Sequence, residues 1–164
     1  MYKNSGFLKS IKNAVRGYIF ALMTERNLRF HTSIAILICT FAYFYGLAKC
    51  EWAVLLLTIL FVLSAECFNT AIEHTVDTAT AEICESAKNA KDVSAAATLL
   101  CAIFAVLVGI FLFGDTKKIL LALTLLIKTA FSGIFEFLIL FGILILNIWL
   151  LFFCSRKKGQ KYDK

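Results

Sequence analysis

Long stretches without a charged side chain dominate this sequence and restrict what it can fold into. Residues 32–48, 52–65 and 93–114 contain no Asp, Glu, Lys or Arg, and residues 131–153 contain only Glu136. A helix needs about 20 residues, or about 17 at the short end, to cross a hydrocarbon core roughly 30 Å thick. The second stretch reaches that length by continuing helically into a polar segment. With 60% apolar residues and no proline, the chain is predicted to be an all-α integral membrane protein.

The apolar region near the C-terminus, residues 119–154, is too long for one straight span. As a single helix it would reach roughly 54 Å at about 1.5 Å per residue. We expect a break near Ser132 and Gly133, which would separate a short interfacial piece at residues 118–129 from a fourth span at residues 131–153.

The chain before the first span is predicted to form an amphipathic surface helix. Its apolar residues recur at spacings of three and four, and its basic residues fall on the opposite side. The apolar set is Phe7, Ile11, Ala14, Tyr18 and Leu22, and the basic set is Lys9, Lys12 and Arg16. The sequence thus predicts three regions: the surface helix with a cytoplasmic segment at residues 1–30, a three-span core at residues 31–114, and a membrane extension with a basic tail at residues 115–164.

Basic residues set the predicted orientation in the membrane. Six lie in residues 1–30, two in residues 78–92 and five in residues 155–164, whereas the two other loops hold three. Because basic residues concentrate on the cytoplasmic side, we expect the N-terminus, the loop between the second and third spans and the C-terminus to be cytoplasmic. The net charge of +6 then reflects topology and contact with anionic lipids. The sequence contains no nucleic-acid-binding motif, so we expect no nucleic-acid partner.

A polar segment, SAECFNTAIEHTVDTA, follows the apolar run of the second predicted span. Glu66, Asn69, Glu73 and Asp77 stand at i, i+3, i+7 and i+11, which places them along one stripe of a helix. At helical rise, this polar stripe begins inside the membrane and emerges on the cytoplasmic side. His74 points about 100° away from Glu73, and we interpret it as an interfacial residue outside the stripe. Because a carboxylate in hydrocarbon is costly, the stripe is a candidate functional site.

The chemistry of these side chains favours phosphoryl transfer or ion handling. Mg²⁺ takes one or two carboxylates together with water and substrate phosphates, which suits Glu73 near the water boundary. A deeper, partly desolvated carboxylate such as Glu66 suits a general base acting on a lipid hydroxyl. Two charged segments, TERNLRFH and AKNAKDVSAA, could converge on the stripe from the cytoplasmic ends of neighbouring helices, although each alone is more typical of a solvated helix end. The residues alone also fit a proton or cation pathway, or a noncatalytic membrane scaffold.

The segments TERNLRFH, AECFNTAIEHTVD and AKDVSAA occur in an order and spacing that resemble the bacterial diacylglycerol kinase family of small membrane lipid kinases, which includes the undecaprenol kinases. The resemblance extends over residues 6–113. It implies transfer of the γ-phosphoryl group of ATP to a lipid hydroxyl, with Mg²⁺ as the cofactor. It also implies a homotrimer in the bacterial cell membrane, with active sites formed between protomers.

The resemblance also implies roles for individual positions. Glu66 is implied to be the catalytic base, and Glu25 and Glu73 are implied to be metal ligands. Positions implied to shape or line the nucleotide site are Asn69, Asp77, Lys91, Asp92, Arg29 and Arg16. Lys91 and Asp92 form the family's KD pair, and Arg16 has a supporting role.

Three features depart from the family pattern or distinguish within it. Cys67 and Phe68 stand where aliphatic residues are usual, a packing change that leaves the polar stripe in register. Residues 118–164 have no counterpart in the three-span relatives, and we interpret them as an added anchor or an oligomer contact. His31 in ERNLRFH resembles the undecaprenol kinases more than the diacylglycerol kinases. We therefore expect undecaprenol as the lipid substrate, with diacylglycerol as the alternative.

Overall fold

The computed structural model describes residues 6–79 and 84–153, and every element within those ranges is helical. The helices are α1 (Phe7–Thr24), α2 (Arg26–Tyr45), α3 (Lys49–Ala79), α4 (Glu85–Leu112), α5 (Thr116–Ser132) and α6 (Ile134–Ile148), and a π-helical turn, Trp149–Phe153, continues α6. By length and composition, α2, α3, α4 and the segment Ile134–Phe152 are able to cross a membrane. The predicted all-α integral membrane fold is confirmed.

The surface helix α1 meets α2 at a turn centred on Glu25. The backbone of Glu25 is extended, with φ −101° and ψ 119°, so one helix ends there and the next begins. α1 is exposed along most of its length, and Ala21 is its buried residue, as expected of a helix that lies at a membrane surface. A hydrogen bond of 3.2 Å between the hydroxyls of Tyr18 and Thr32 ties α1 to α2.

Helices α3 and α4 form an antiparallel pair that carries the polar stripe. α3 has 31 residues, about 46 Å at helical rise, so the apolar run and the stripe belong to one continuous helix, as predicted. Two of the side-chain bonds that cross to it from α4 lie toward the buried end of the stripe. Ser94 Oγ donates to Asn69 Oδ1 at 2.6 Å, and Thr98 Oγ1 donates to the backbone carbonyl of Ala65 at 3.4 Å. Because Ser94 and Thr98 are one turn apart, they fix the rotation of α4 against the stripe.

At the opposite end of α3, an apolar cluster joins α2, α3 and α5. Its buried members are Ala42, Tyr45, Leu47, Leu55 and Ala122. The ring of Phe113 lies 5.0 Å from the ring of Tyr45, and the Tyr45 hydroxyl accepts a 3.3 Å bond from the backbone N–H of Asp115. Gly46 ends α2 in the left-handed conformation, with φ 74°, which glycine adopts without steric cost.

The C-terminal region divides where the sequence predicts. α5 ends at Ser132, Gly133 has an extended backbone with φ −168° and ψ 163°, and α6 begins at the next residue. Asp115 caps the start of α5 by accepting two backbone N–H bonds of 2.9 and 3.3 Å from the first turn. The predicted break is confirmed, and α5 is longer than the interfacial piece predicted at residues 118–129. The predicted basic tail, residues 155–164, lies outside the described residues.

Contacts with α2 show that α5 and α6 are bent against each other. Ala122 belongs to the apolar cluster that contains Ala42, whereas Asn147 accepts a hydrogen bond from Ser33. On a straight helix Ala122 and Asn147 would stand about 38 Å apart, but their contact points on α2 are roughly 14 Å apart. The chain therefore bends at Gly133. As a result, α5 packs against α2 near Ala42 and α6 contacts α2 at Ser33.

Candidate active site

Glu66 is a buried carboxylate at the membrane end of the polar stripe. Its exposed fraction is 2%. α2 brings His31 to it, with Nε2 of the imidazole 3.2 Å from Oε1 of Glu66, while 24% of the His31 side chain stays exposed. An ion pair or hydrogen bond of this kind offsets the cost of burying a carboxylate. Through this contact TERNLRFH reaches the stripe, which was one of the two alternatives left open by the sequence.

Asn69 links two helices and orients the next carboxylate of the stripe. Its Nδ2 donates to Oε1 of Glu73 at 3.0 Å, and its Oδ1 accepts from Ser94 Oγ at 2.6 Å. Glu73 is half-buried, so it lies between the buried Glu66 and the exposed end of the stripe. Ser94 was not among the residues predicted from the sequence. Its signal was available, because Ser94 stands three residues after Lys91 in AKDVSAA and therefore shares its helix face.

The exposed end of the stripe is closed by an ion pair. Lys91 Nζ of α4 contacts Oδ1 of Asp77, and both side chains keep access to solvent, with exposed fractions of 36% and 63%. This contact confirms that the second charged segment, AKNAKDVSAA, also reaches the stripe. A cation beside a carboxylate at the mouth of the site provides donors and charge suited to a phosphate group.

Two other assigned residues belong to the junction of α1 and α2. Arg29 is buried, and its Nη1 donates to the backbone carbonyls of Leu22 and Met23 at 3.1 and 3.3 Å. The guanidinium thus satisfies carbonyls at the C-terminal end of α1, as basic side chains commonly do. Glu25 is half-buried at the turn between the helices. The predicted nucleotide role of Arg29 and metal role of Glu25 stay predictions.

Arg16 and Asp92 lie on exposed helix surfaces. Arg16 is exposed on α1, and Asp92 is exposed on α4, about 100° around the helix from Lys91. Within one protomer, neither side chain joins the hydrogen-bonded contacts of the stripe among the described residues. Across residues 6–79 and 84–153, no three His, Cys, Asp or Glu side chains are grouped so as to hold a metal ion.

An open, apolar cleft of about 630 Å³ separates α1 from α3 next to the stripe. Gly17, Tyr18 and Ala21 line it on the α1 side, and Thr70 and His74 line it on the α3 side. Thr70 is one turn beyond Glu66 and donates to its backbone carbonyl at 2.9 Å. The cleft therefore comes within one helical turn of Glu66, and its apolar lining suits a lipid chain better than a nucleotide.

Comparisons with known proteins identify a family for the chain. The family model for prokaryotic diacylglycerol kinase matches residues 12–113. The chain is 37% identical over 107 residues to an undecaprenol kinase of Bacillus subtilis. The aligned residues are 65% of this chain and 87% of that relative. It is also 43% identical over 103 residues to a diacylglycerol kinase of Synechocystis, and this alignment covers 62% of this chain and 59% of that relative. No solved structure matches the chain.

A third relative, a diacylglycerol kinase of Haemophilus influenzae, is 30% identical over 118 residues, which is 69% of this chain and the full length of that relative. The family match begins within α1, contains α2, α3 and α4 with the whole polar stripe, and ends at Phe113. The helices α5 and α6 lie outside it. The chain belongs to the prokaryotic diacylglycerol kinase family.

Proposed function

We propose that this lipid kinase transfers the γ-phosphoryl group of ATP to the hydroxyl group of undecaprenol at the cytoplasmic face of a bacterial plasma membrane. The observation that carries the proposal is the graded polar stripe of α3. A buried Glu66, a half-buried Glu73 and an exposed Asp77 follow one another along it. A lipid hydroxyl enters from the hydrocarbon side and a nucleotide from the water side, so the two substrates meet along this stripe.

Glu66 would act as the general base. Its carboxylate accepts the proton of the lipid hydroxyl as the hydroxyl oxygen attacks the γ-phosphorus and the bond to the β-phosphate oxygen breaks. Burial of Glu66 to 2% exposure supports this role, because a base shielded from water does not activate water in place of the lipid. The apolar cleft that Thr70 lines supports it as well, because it offers the lipid chain a place within one helical turn of Glu66.

Glu25 and Glu73 would hold Mg²⁺. The residues fit this hard cation, since carboxylates are its preferred protein ligands and one or two are enough when substrate phosphates and water complete the shell. The bond from Asn69 to Glu73 at 3.0 Å fixes the direction of one carboxylate. When bound, the metal neutralises charge on the phosphate oxygens during transfer.

The remaining polar residues would hold the nucleotide. Lys91 would offset the charge that develops on the phosphates. Asp77 would position the ammonium group of Lys91 through the contact between the two side chains. Asn69 and Asp92 would shape the same site, with Arg29 lining it and Arg16 in a supporting role.

The active site would be completed by a second copy in a homotrimer. Asp77, Asp92 and Arg16 are exposed in the protomer, so they are accessible to a neighbouring copy. The region 31–114 would form the kinase core, residues 1–30 its surface helix and cytoplasmic segment, and residues 115–164 an added membrane region with a basic tail. The excess of basic residues in residues 1–30 and 155–164 supports cytoplasmic termini.

Undecaprenol is favoured over diacylglycerol as the substrate. The relative named undecaprenol kinase is 37% identical over 87% of its own length, whereas the diacylglycerol kinases are 43% identical over 59% and 30% identical over 100% of theirs. Because these relatives divide, the choice depends on His31 and its position in ERNLRFH. Diacylglycerol is the second candidate, because two other relatives carry the name diacylglycerol kinase.

The decisive experiment gives purified protein in lipid nanodiscs γ-labelled ATP with undecaprenol and diacylglycerol in parallel. Labelled undecaprenyl phosphate is the expected main product, and a larger yield of phosphatidic acid would reverse the substrate assignment. Proton or cation flux in liposomes without ATP consumption would instead favour an ion pathway. If neither lipid phosphorylation nor ion flux is detected, the result would favour a noncatalytic membrane scaffold.

A further inference from the structure

His31 is the side chain that reaches the buried end of the stripe. Its Nε2 lies 3.2 Å from Oε1 of Glu66. Among residues 6–79 and 84–153, no other side chain forms an ion pair or hydrogen bond with that carboxylate. Phe30 packs against the imidazole edge to face, with ring centroids 5.8 Å apart, and so limits the ways in which the ring can turn.

A general base must present one particular oxygen to its substrate. A glutamate side chain has three rotatable bonds, and burial in an apolar environment does not by itself select among their rotamers. A contact at Oε1 of Glu66 does select one rotamer, because it fixes that oxygen and leaves Oε2 available to accept a proton. Misplacement of a reacting group by about 1 Å can reduce a rate by roughly 10²-fold.

We propose that His31 is a positioning residue for catalysis, which holds Oε1 of Glu66 through an imidazole N–H on Nε2 and directs Oε2 at the lipid hydroxyl. This role rests on the proposed function. The imidazole does not itself contact the reacting atoms. It is partly exposed, so its own desolvation is smaller than that of the carboxylate it orients.

A competing explanation gives His31 a purely structural role, as a partner that lowers the cost of burying a carboxylate. The two roles predict different measurements. A structural partner affects the amount of folded protein, its thermal unfolding and its assembly, while the folded fraction turns over normally. A positioning residue affects kcat of the folded enzyme and leaves KM for both substrates nearly unchanged, because the base acts in the transition state.

Three replacements separate these roles in the full-length protein in nanodiscs. His31→Gln keeps an amide N–H near the position of Nε2, whereas His31→Met fills a similar volume without a donor and His31→Ala removes both. We expect His31→Ala and His31→Met to lower kcat by about 10²-fold with KM for ATP and undecaprenol within about threefold, and His31→Gln to recover at least about tenfold of that loss.

The matched control is Tyr43→Ala, which removes another aromatic ring from α2, the helix that carries His31. Tyr43 is exposed to 75% and does not line the cleft; we expect kcat within about twofold of wild type. If His31→Ala fails to fold, the difference in kcat between His31→Gln and His31→Met distinguishes the positioning role from the structural role.

Equal activity of the Gln and Met variants, a loss confined to KM, or a His31 series no worse than Tyr43→Ala would overturn the positioning role alone. A wild-type protein that phosphorylates no lipid would overturn the proposed function and this role together.

Discussion

Ser33 of α2 donates a hydrogen bond of 2.5 Å to the side-chain amide oxygen of Asn147 on α6, and both residues are buried, with exposed fractions of 1% and 3%. Asn147 also donates to the backbone carbonyl of Ile143 at 2.9 Å. In an apolar environment a side-chain amide must find such partners within the protein. The bond therefore connects the region outside the family match to the first span of the kinase core.

This connection should be measurable as a coupling between the two positions. We expect Ser33→Ala and Asn147→Ala each to lower the free energy of unfolding in detergent micelles, with a coupling in the double-mutant cycle of about 0.5–1.5 kcal/mol. Leu144→Ala, at an exposed position of α6, is the control and should couple to neither. A coupling of zero would show that α6 is not held to α2 by this bond.

Glu66→Gln should abolish lipid phosphorylation and leave nucleotide binding intact. The amide fills the same space but does not accept the proton, so we expect kcat to fall by at least ~10³-fold. The measurement is labelled-ATP turnover beside equilibrium binding of a nonhydrolysable ATP analogue. Glu136→Gln, on the exposed start of α6, is the control for loss of a glutamate. An active Glu66→Gln enzyme would refute the role of Glu66 as the base.

Glu73→Ala should raise the Mg²⁺ concentration needed for half-maximal activity by about 10-fold or more, because it removes a proposed metal ligand. Asn69→Ala should cause a smaller increase, because it removes the 3.0 Å bond that orients Glu73 and leaves the ligand itself. The test is a Mg²⁺ titration of activity at fixed ATP. An unchanged metal dependence of Glu73→Ala would remove that residue from the site.

Reversing the pair of Lys91 and Asp77 should separate stability from function. The pair is largely exposed, and such pairs contribute at most about 1 kcal/mol to stability. We expect Lys91→Asp to raise KM for ATP by about 10-fold with little change in thermal unfolding. The double exchange Lys91→Asp with Asp77→Lys restores the pair, yet it should leave KM high if Lys91 contacts phosphate. Recovery of the wild-type KM for ATP in the double exchange would show that Lys91 and Asp77 have only a structural role as a pair.

Gly46→Ala should destabilise the protein by about 1 kcal/mol, because φ is 74° at this helix end and a Cβ is strained there. No atom lies within 4 Å of an added Cβ at Gly46 or at Gly109. Gly109→Ala, inside α4, is therefore the matched control, and we expect it to be neutral or stabilising. Equal effects of the two substitutions on thermal unfolding would contradict the conformational explanation.

The sequence predicted the parts of the fold that depend on local spacing. The four spans follow from the length of the uncharged runs, and the break at Gly133 follows from the length of the last one. The polar stripe follows from the positions of Glu66, Asn69 and Glu73, since residues three, four and seven apart share a helix face wherever that helix packs. The family signature lies on the same residues and identified the lipid kinases.

The sequence did not predict which side chains meet across helices. It grouped His31 with the charged residues of TERNLRFH but did not place it against Glu66, and it did not single out Ser94 or Asn147. The nucleotide role of Arg29 stays a prediction, and the sequence did not predict that its Nη1 donates to carbonyls at the end of α1. These pairings depend on the rotation and register of whole helices, which are set by the packing of entire faces.

The sequence by itself therefore determined the helices, their membrane character, the single stripe of acidic residues and the family. Only the tertiary structure decided that Glu66 is buried against His31, that Asn69 joins Glu73 to Ser94, and that the C-terminal helices bend to pack on α2. The physical reason is that periodicity fixes the face of a helix on which a residue lies, but the partner opposite that face is chosen by distant segments packing together.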